Sequence, residues 1–137
     1  KTYVIKRLYT LKRNLRDEIR GNFKVYFYDL GIRNYIINSF NSIDLRNDVG
    51  ALFENYFIME RIKYQNNHNG FLPPIYFWRT YNQKEIDFIE EKENAFYLFE
   101  CKWSNKNTKT FFLDFKKTYP NSFGVIVHKN NLEEFLR

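Results

Sequence analysis

A chain of 137 residues with 44% hydrophobic and 20% aromatic residues is long enough to bury one core and too apolar to stay disordered. Its net charge of +6 lies wholly in residues 1–24, where eight basic residues meet only Asp17 and Glu18; a basic segment beside a neutral body fits a polyanion such as DNA. No apolar run reaches the roughly 18–20 residues of a membrane helix; one cysteine (Cys101) excludes an internal disulfide, and with only His68 and His128 beside it argues against a Cys/His zinc site, so a cytoplasmic protein without membrane contact is expected.

Tyr3 to Tyr9 reads as extended, followed by a polar basic stretch from Lys12 to Asn22. Lys24-Val25-Tyr26-Phe27-Tyr28 is a β-rich run broken at Asp29-Leu30-Gly31. Ile32, Tyr35, Ile36 and Phe40 recur at helical spacing, which predicts a short helix over about 32–40. Asn47 or Asp48 can cap a second helix reaching about Tyr64, with Leu52, Phe53, Tyr56, Phe57, Met59 and Ile62 as its apolar stripe. Strands are predicted over 75–80, 84–90 and 95–103, separated by turns at Tyr81-Asn82-Gln83 and Glu91-Lys92-Glu93-Asn94. Phe111, Phe112, Phe115 and Tyr119 mark a helix over 108–119 that Pro120 stops; a strand over 122–128 and a short helix over 132–136 complete the chain.

From Asn47 the order is therefore helix, three strands joined by short turns, helix, strand. The three strands should form an antiparallel meander, and the crossover helix should lay the fourth parallel to the third. The expected fold is α/β, a mixed four-stranded sheet flanked by helices. Residues 1–46 are read as a basic N-terminal segment with a short strand and helix, and 47–137 as the core.

Four charged residues interrupt this pattern. Glu100 and Lys102 are two apart in a strand-like run and should share a face with Phe96 and Leu98. By the same alternation Glu85, Asp87 and Ile89 share one face of the preceding strand, and Ile86, Phe88 and Glu90 the other. Glu54 has Gly50, Ala51, Phe57 and Ile58 at helical offsets, a core-facing setting that is odd for a carboxylate without a cation to face. A hard ion such as Mg²⁺ takes one or two carboxylates directly and keeps waters. Asp87 and Glu100 are the candidate direct ligands, with the Cys101 carbonyl completing the set and Glu54 binding through water. Lys102 would orient a nucleophile or offset charge. Against this stands a plain reading: Glu-x-Lys on a strand commonly forms a cross-strand salt bridge, and the quartet could be a structural network. Lys6, Arg7, Lys12, Arg13, Arg16 and Arg20 are the candidate DNA contacts. No Gly-x-x-x-x-Gly-Lys-Ser/Thr loop occurs, so no ATP site is expected in this chain.

Glu54, Asp87 and Glu100-Cys101-Lys102 in this order resemble the core of the PD-(D/E)XK nuclease superfamily, the restriction-endonuclease-like fold (αβββαβ). Together with Lys24-Val25-Tyr26-Phe27-Tyr28-Asp29-Leu30-Gly31, Asp48-Val49-Gly50-Ala51-Leu52-Phe53-Glu54-Asn55 and Phe77-Trp78-Arg79-Thr80, the chain resembles the C-terminal domain of prokaryotic AAA+-type ATPases. The resemblance implies metal carboxylates at Asp87 and Glu100, a catalytic lysine at Lys102 and a helix-borne acid at Glu54, with Ile86 in place of the proline that names the superfamily. It implies Mg²⁺-dependent cleavage of DNA, an ATPase half outside this chain, and a basic start that is the tail of a winged-helix or linker region. The alternative is a catalytically silent module of that ATPase that contacts DNA or another protein.

Overall fold

The structure, a computed structural model, describes residues 3–12, 22–104 and 109–137. Strands β1 (Ile5–Tyr9) and β2 (Phe23–Phe27) pair antiparallel as a two-stranded sheet. Helix α1 (Leu30–Ile36) follows, then a 3-10 turn at Ile43–Leu45 and the long helix α2 (Val49–Asn69). The main sheet contains β3 (Ile75–Arg79), β4 (Glu85–Lys92), β5 (Ala95–Cys101) and β6 (Ser122–Val127) in that spatial order. β3, β4 and β5 are antiparallel neighbours, and β6 joins β5 in parallel after helix α3 (Phe112–Thr118). This is the mixed four-stranded sheet that the order of elements predicts.

Strand alternation sends β5 side chains to both faces, and each face is closed by a helix. Phe99 and Cys101 pack with Phe53, Phe57, Ile58 and Ile62 of α2, together with Phe77, Phe88 and Val127. Phe96 and Leu98 pack on the other side with Phe115 of α3 and with Trp78, Ile86 and Ile89. Leu8 and Tyr26 enter the first of these clusters and Leu11 the second, and the Leu11 N–H donates to the Phe77 carbonyl at 2.8 Å. Leu8, Leu11 and Tyr26, all before residue 47, thus pack into the same clusters as the sheet.

Several local expectations are corrected. Asp48 occupies the N-cap of α2 but makes no capping bond; its carboxylate is taken by Arg33 at 3.0 Å and by Arg46 at 2.8 Å. These two arginines outcompete the helix N–H groups because a charged, forked donor makes the stronger bond. Helix α2 runs five residues past Tyr64 and ends at Gly70, whose φ of 71° suits a residue without a Cβ. The short helix expected over 132–136 is of the 3-10 type and spans Leu132–Phe135.

The most consequential departure lies in β4. Tyr76 pairs with Ile89 but Trp78 pairs with Ile86, so β4 carries one residue more than β3 across this step. Ile86 and Ile89, three apart, consequently lie in the same cluster, which strict alternation forbids. The expected grouping of Glu85, Asp87 and Ile89 on one face fails for this reason. The β4–β5 ladder runs from the Lys92–Ala95 pair to the Phe88–Phe99 pair, leaving Asp87 just beyond its end.

Candidate functional site

The site forms where β2, α2, β4 and the end of β5 meet. Asn55 of α2 fastens β2 there: its amide accepts from the Phe27 N–H at 2.9 Å and donates to the Phe27 carbonyl at 2.8 Å, imitating a ladder partner. Lys24 and Tyr26, two apart on β2, therefore face Glu54 one helical position earlier. The Tyr26 hydroxyl donates to Glu54 Oε1 at 2.5 Å and the Lys24 ammonium reaches the same oxygen at 3.0 Å.

Lys24 also meets Glu85 at 2.5 Å and Asp87 at 3.7 Å. It thereby links a helix carboxylate to two strand carboxylates. Arg79 of β3 holds Glu85 from the other side at 2.6 Å. The second oxygen of Asp87, Oδ2, accepts from the Cys101 N–H at 2.8 Å. Lys102, just past β5, pairs with Glu100 Oε1 at 2.8 Å. Glu100 Oε2 is buried and has no hydrogen-bond partner.

Carboxylates outnumber cations here: Glu54, Glu85, Asp87 and Glu100 against Lys24, Arg79 and Lys102. The imbalance shows in the acidities. Burial, with the charges of Glu54 and Glu100, pushes the Asp87 carboxyl up to about 8. Burial also raises Glu100, against the pull of Lys102. Glu85 moves the other way, since Lys24 and Arg79 together outweigh its burial. Burial opposes the Lys24 ammonium, but Glu54, Asp87 and Glu85 overcome it and raise its pKa. A site with surplus negative charge and an unpartnered buried oxygen has room, electrostatically, for one more cation.

The structure thus brings Glu54 and Asp87 onto one ammonium and places Glu100 and Lys102 together. Cys101 meets Asp87 through its N–H, and its thiol is buried among core residues with its acidity suppressed by burial. Among the described residues, no three His, Cys, Asp or Glu side chains are gathered closely enough to hold a metal as they stand. Two carboxylates with waters suffice for Mg²⁺, and Glu100, with its unpartnered Oε2, and Asp87, whose carboxyl feels the Glu100 charge, are the residues that would hold it.

Sequence reasoning missed Lys24, Tyr26 and Glu85, counting Lys24 with the basic segment. The signal for Lys24 and Tyr26 was their shared parity in a strand beginning with a lysine. Of the residues expected to contact DNA, Lys6 is half-buried on β1, Arg7 is exposed with its guanidinium 4.9 Å from the Phe23 ring, and Lys12 is exposed. Arg13, Arg16 and Arg20 lie outside the described residues.

A mixed four-stranded sheet between helices, with an acid- and lysine-rich cluster at one end, defines an α/β domain with a candidate ionic site. Residues 49–136 match the family described as Domain of unknown function (DUF4143), and the chain belongs to that family. The family is known to occur as the C-terminal region of AAA-type ATPases. No curated protein and no solved structure matches the chain. Among the described residues no helix is long and apolar enough to cross a membrane.

Proposed function

We propose that this chain is a restriction-endonuclease-like, nuclease-type domain carried behind an AAA+-type ATPase half, hydrolysing phosphodiester bonds of DNA with Mg²⁺. The observation that carries the reading is the buried, unpartnered Glu100 Oε2, in a site where the Glu100 charge also helps suppress the acidity of Asp87. Asp87 and Glu100 would hold the ion. When bound, the ion lowers the pKa of a water and neutralises charge on the phosphate. Lys102, held on Glu100, keeps an ammonium at the rim of the site to orient the nucleophile or offset charge developing on the phosphate. Glu54 anchors Lys24 and Tyr26, and so contributes by fixing β2 against the site. Lys6, Arg7 and Lys12, with Arg13, Arg16 and Arg20, would carry the backbone of the nucleic acid.

A second reading has one observation in its favour. Lys24 already sits among Glu54, Glu85 and Asp87 as in a structural network, which suits a silent module that contacts DNA without cutting it. Thermal melts with and without Mg²⁺, beside a cleavage assay on single- and double-stranded DNA, separate the two. The nuclease reading expects Mg²⁺ to raise the melting temperature and DNA to be cut. Melts unmoved by Mg²⁺ and uncut DNA overturn it. Replacing Lys12, Arg13 and Arg16 by alanine should weaken DNA binding and flatten its salt dependence under either reading.

A further inference from the structure

We propose that Lys24 is the built-in counter-cation of this site, holding the place of a second metal ion, so that the centre takes a single divalent ion. This deepens the nuclease reading and rests on it.

The ammonium has three donors, and three carboxylates surround it: Glu85 at 2.5 Å, Glu54 at 3.0 Å and Asp87 at 3.7 Å. Its position is built. Asn55 fixes β2 at Phe27, Tyr26 shares the Glu54 oxygen, and the Phe77 ring lies 5.4 Å from the ammonium. The Lys24 side chain is only 17% exposed, so the charge is committed to the site and not to solvent.

Charge decides how many further cations the centre accepts. With every group ionised, four carboxylates face Lys24, Arg79 and Lys102, a surplus of one negative charge. One divalent ion turns that surplus into a single positive charge, the complement of one phosphodiester. A second divalent ion would have to enter beside Lys24 and Arg79 at close range, where like charges repel strongly in a poorly solvated site. The buried oxygen left without a partner also lies on the Glu100 side. Glu100 Oε2 has no partner, whereas Glu54 Oε1 already accepts from Lys24 and Tyr26, and Glu85 from Lys24 and Arg79.

Removing the ammonium should reverse this. In Lys24→Met, Glu54, Glu85 and Asp87 lose their shared cation, and a divalent ion entering in its place would have to draw the three carboxylates together as its ligands. The test is calorimetric titration of Mn²⁺ into the wild type, Lys24→Met and Lys24→Arg, with thermal melts of each in EDTA and in Mn²⁺. Wild type and Lys24→Arg are expected to bind one Mn²⁺ and Lys24→Met two. Lys24→Met should melt below wild type in EDTA and gain more from Mn²⁺ than wild type does. Two ions in the wild type overturn the inference while leaving the metal site standing, and so does a single ion in Lys24→Met. A Lys24→Met protein that fails to fold even with Mn²⁺ also overturns it, because the ion should replace the ammonium. Wild type that binds no Mn²⁺ overturns the metal reading itself.

Discussion

The backbone N–H of Cys101 donates to Oδ2 of Asp87 at 2.8 Å, tying the first residue beyond the β4–β5 ladder to the end of β5. This bond favours the ionised carboxylate, yet burial and the neighbouring Glu54 and Glu100 prevail and raise the Asp87 carboxyl to about 8. An unfolded aspartate ionises near roughly 3.9. The folded protein therefore keeps a proton that the unfolded chain has released, and this contribution to stability is complete below about pH 4 and lost as pH rises toward 8. Urea unfolding in EDTA should show stability falling across that window, and Asp87→Asn should remove the part due to Asp87, leaving what the raised Glu100 contributes. Asp48, held low by Arg46 and Arg33, acts in the opposite sense and only in acid, so its effect does not obscure the test. A wild type whose stability is level from pH 5 to 8 would count against the buried proton.

Metal binding and cleavage should come apart in two variants. Asp87→Asn removes a charge while keeping shape, so Mn²⁺ affinity and DNA cleavage are both expected to fall, cleavage by about 100-fold or more. Lys102→Ala leaves the candidate ligands in place. Mn²⁺ binding should persist in it while cleavage drops by a similar factor, about 100-fold or more. Calorimetry and a gel assay on the same preparations check the split.

A buried ion pair should matter for folding alone. Glu90 is fully buried; Arg61 of α2 grips it with two bonds, at 2.7 and 3.1 Å, while Gln65 and Lys92 add further contacts. Arg61 also donates to the Phe135 carbonyl at 2.5 Å, joining α2 to the C-terminal turn. Arg61→Met should destabilise by about 3 kcal/mol, because Glu90 is left buried with weaker partners. The double variant with Glu90→Leu should recover much of that loss. Equilibrium urea curves measure both, and Mn²⁺ binding should remain unchanged.

Gly124 of β6 is pressed against α3. A Cβ built there would lie 2.5 Å from the Phe112 ring, too close unless the helix or ring moves. Gly124→Ala is expected to cost about 1–3 kcal/mol. Adding Phe112→Ala should make the pair less damaging than the sum of the singles, since the clash partner is gone. Additive losses in the melts would mean that the two residues do not meet.

The order helix, three strands, helix, strand was legible because each element depends on neighbours only a few residues away. Phe53, Phe57 and Ile62 recur at helical spacing, Phe96 and Leu98 alternate with Phe99 and Cys101, and Pro120 forbids continuation of α3. The same local rules singled out Glu54 as a carboxylate on an apolar stripe, and Glu100 with Lys102 as a charged end to a buried strand. They also offered Asn47 or Asp48 as a cap; Asp48 takes the position but not the bond, because Arg33 and Arg46 arrive from outside the helix.

Only the tertiary structure decided which charges share a site. Lys24 and Glu54 are thirty residues apart, and their contact exists because Asn55 offers β2 a substitute ladder on α2. The extra residue in β4 depends on pairing with β3, so alternation along β4 could not reveal it. That residue separates Ile89 from the face on which Glu85 and Asp87 meet Lys24. A repeating pattern reports the face a residue presents within its own element. The partner waiting on that face is set by how separate elements dock, and for Lys24 this replaced solvent and a polyanion with three carboxylates.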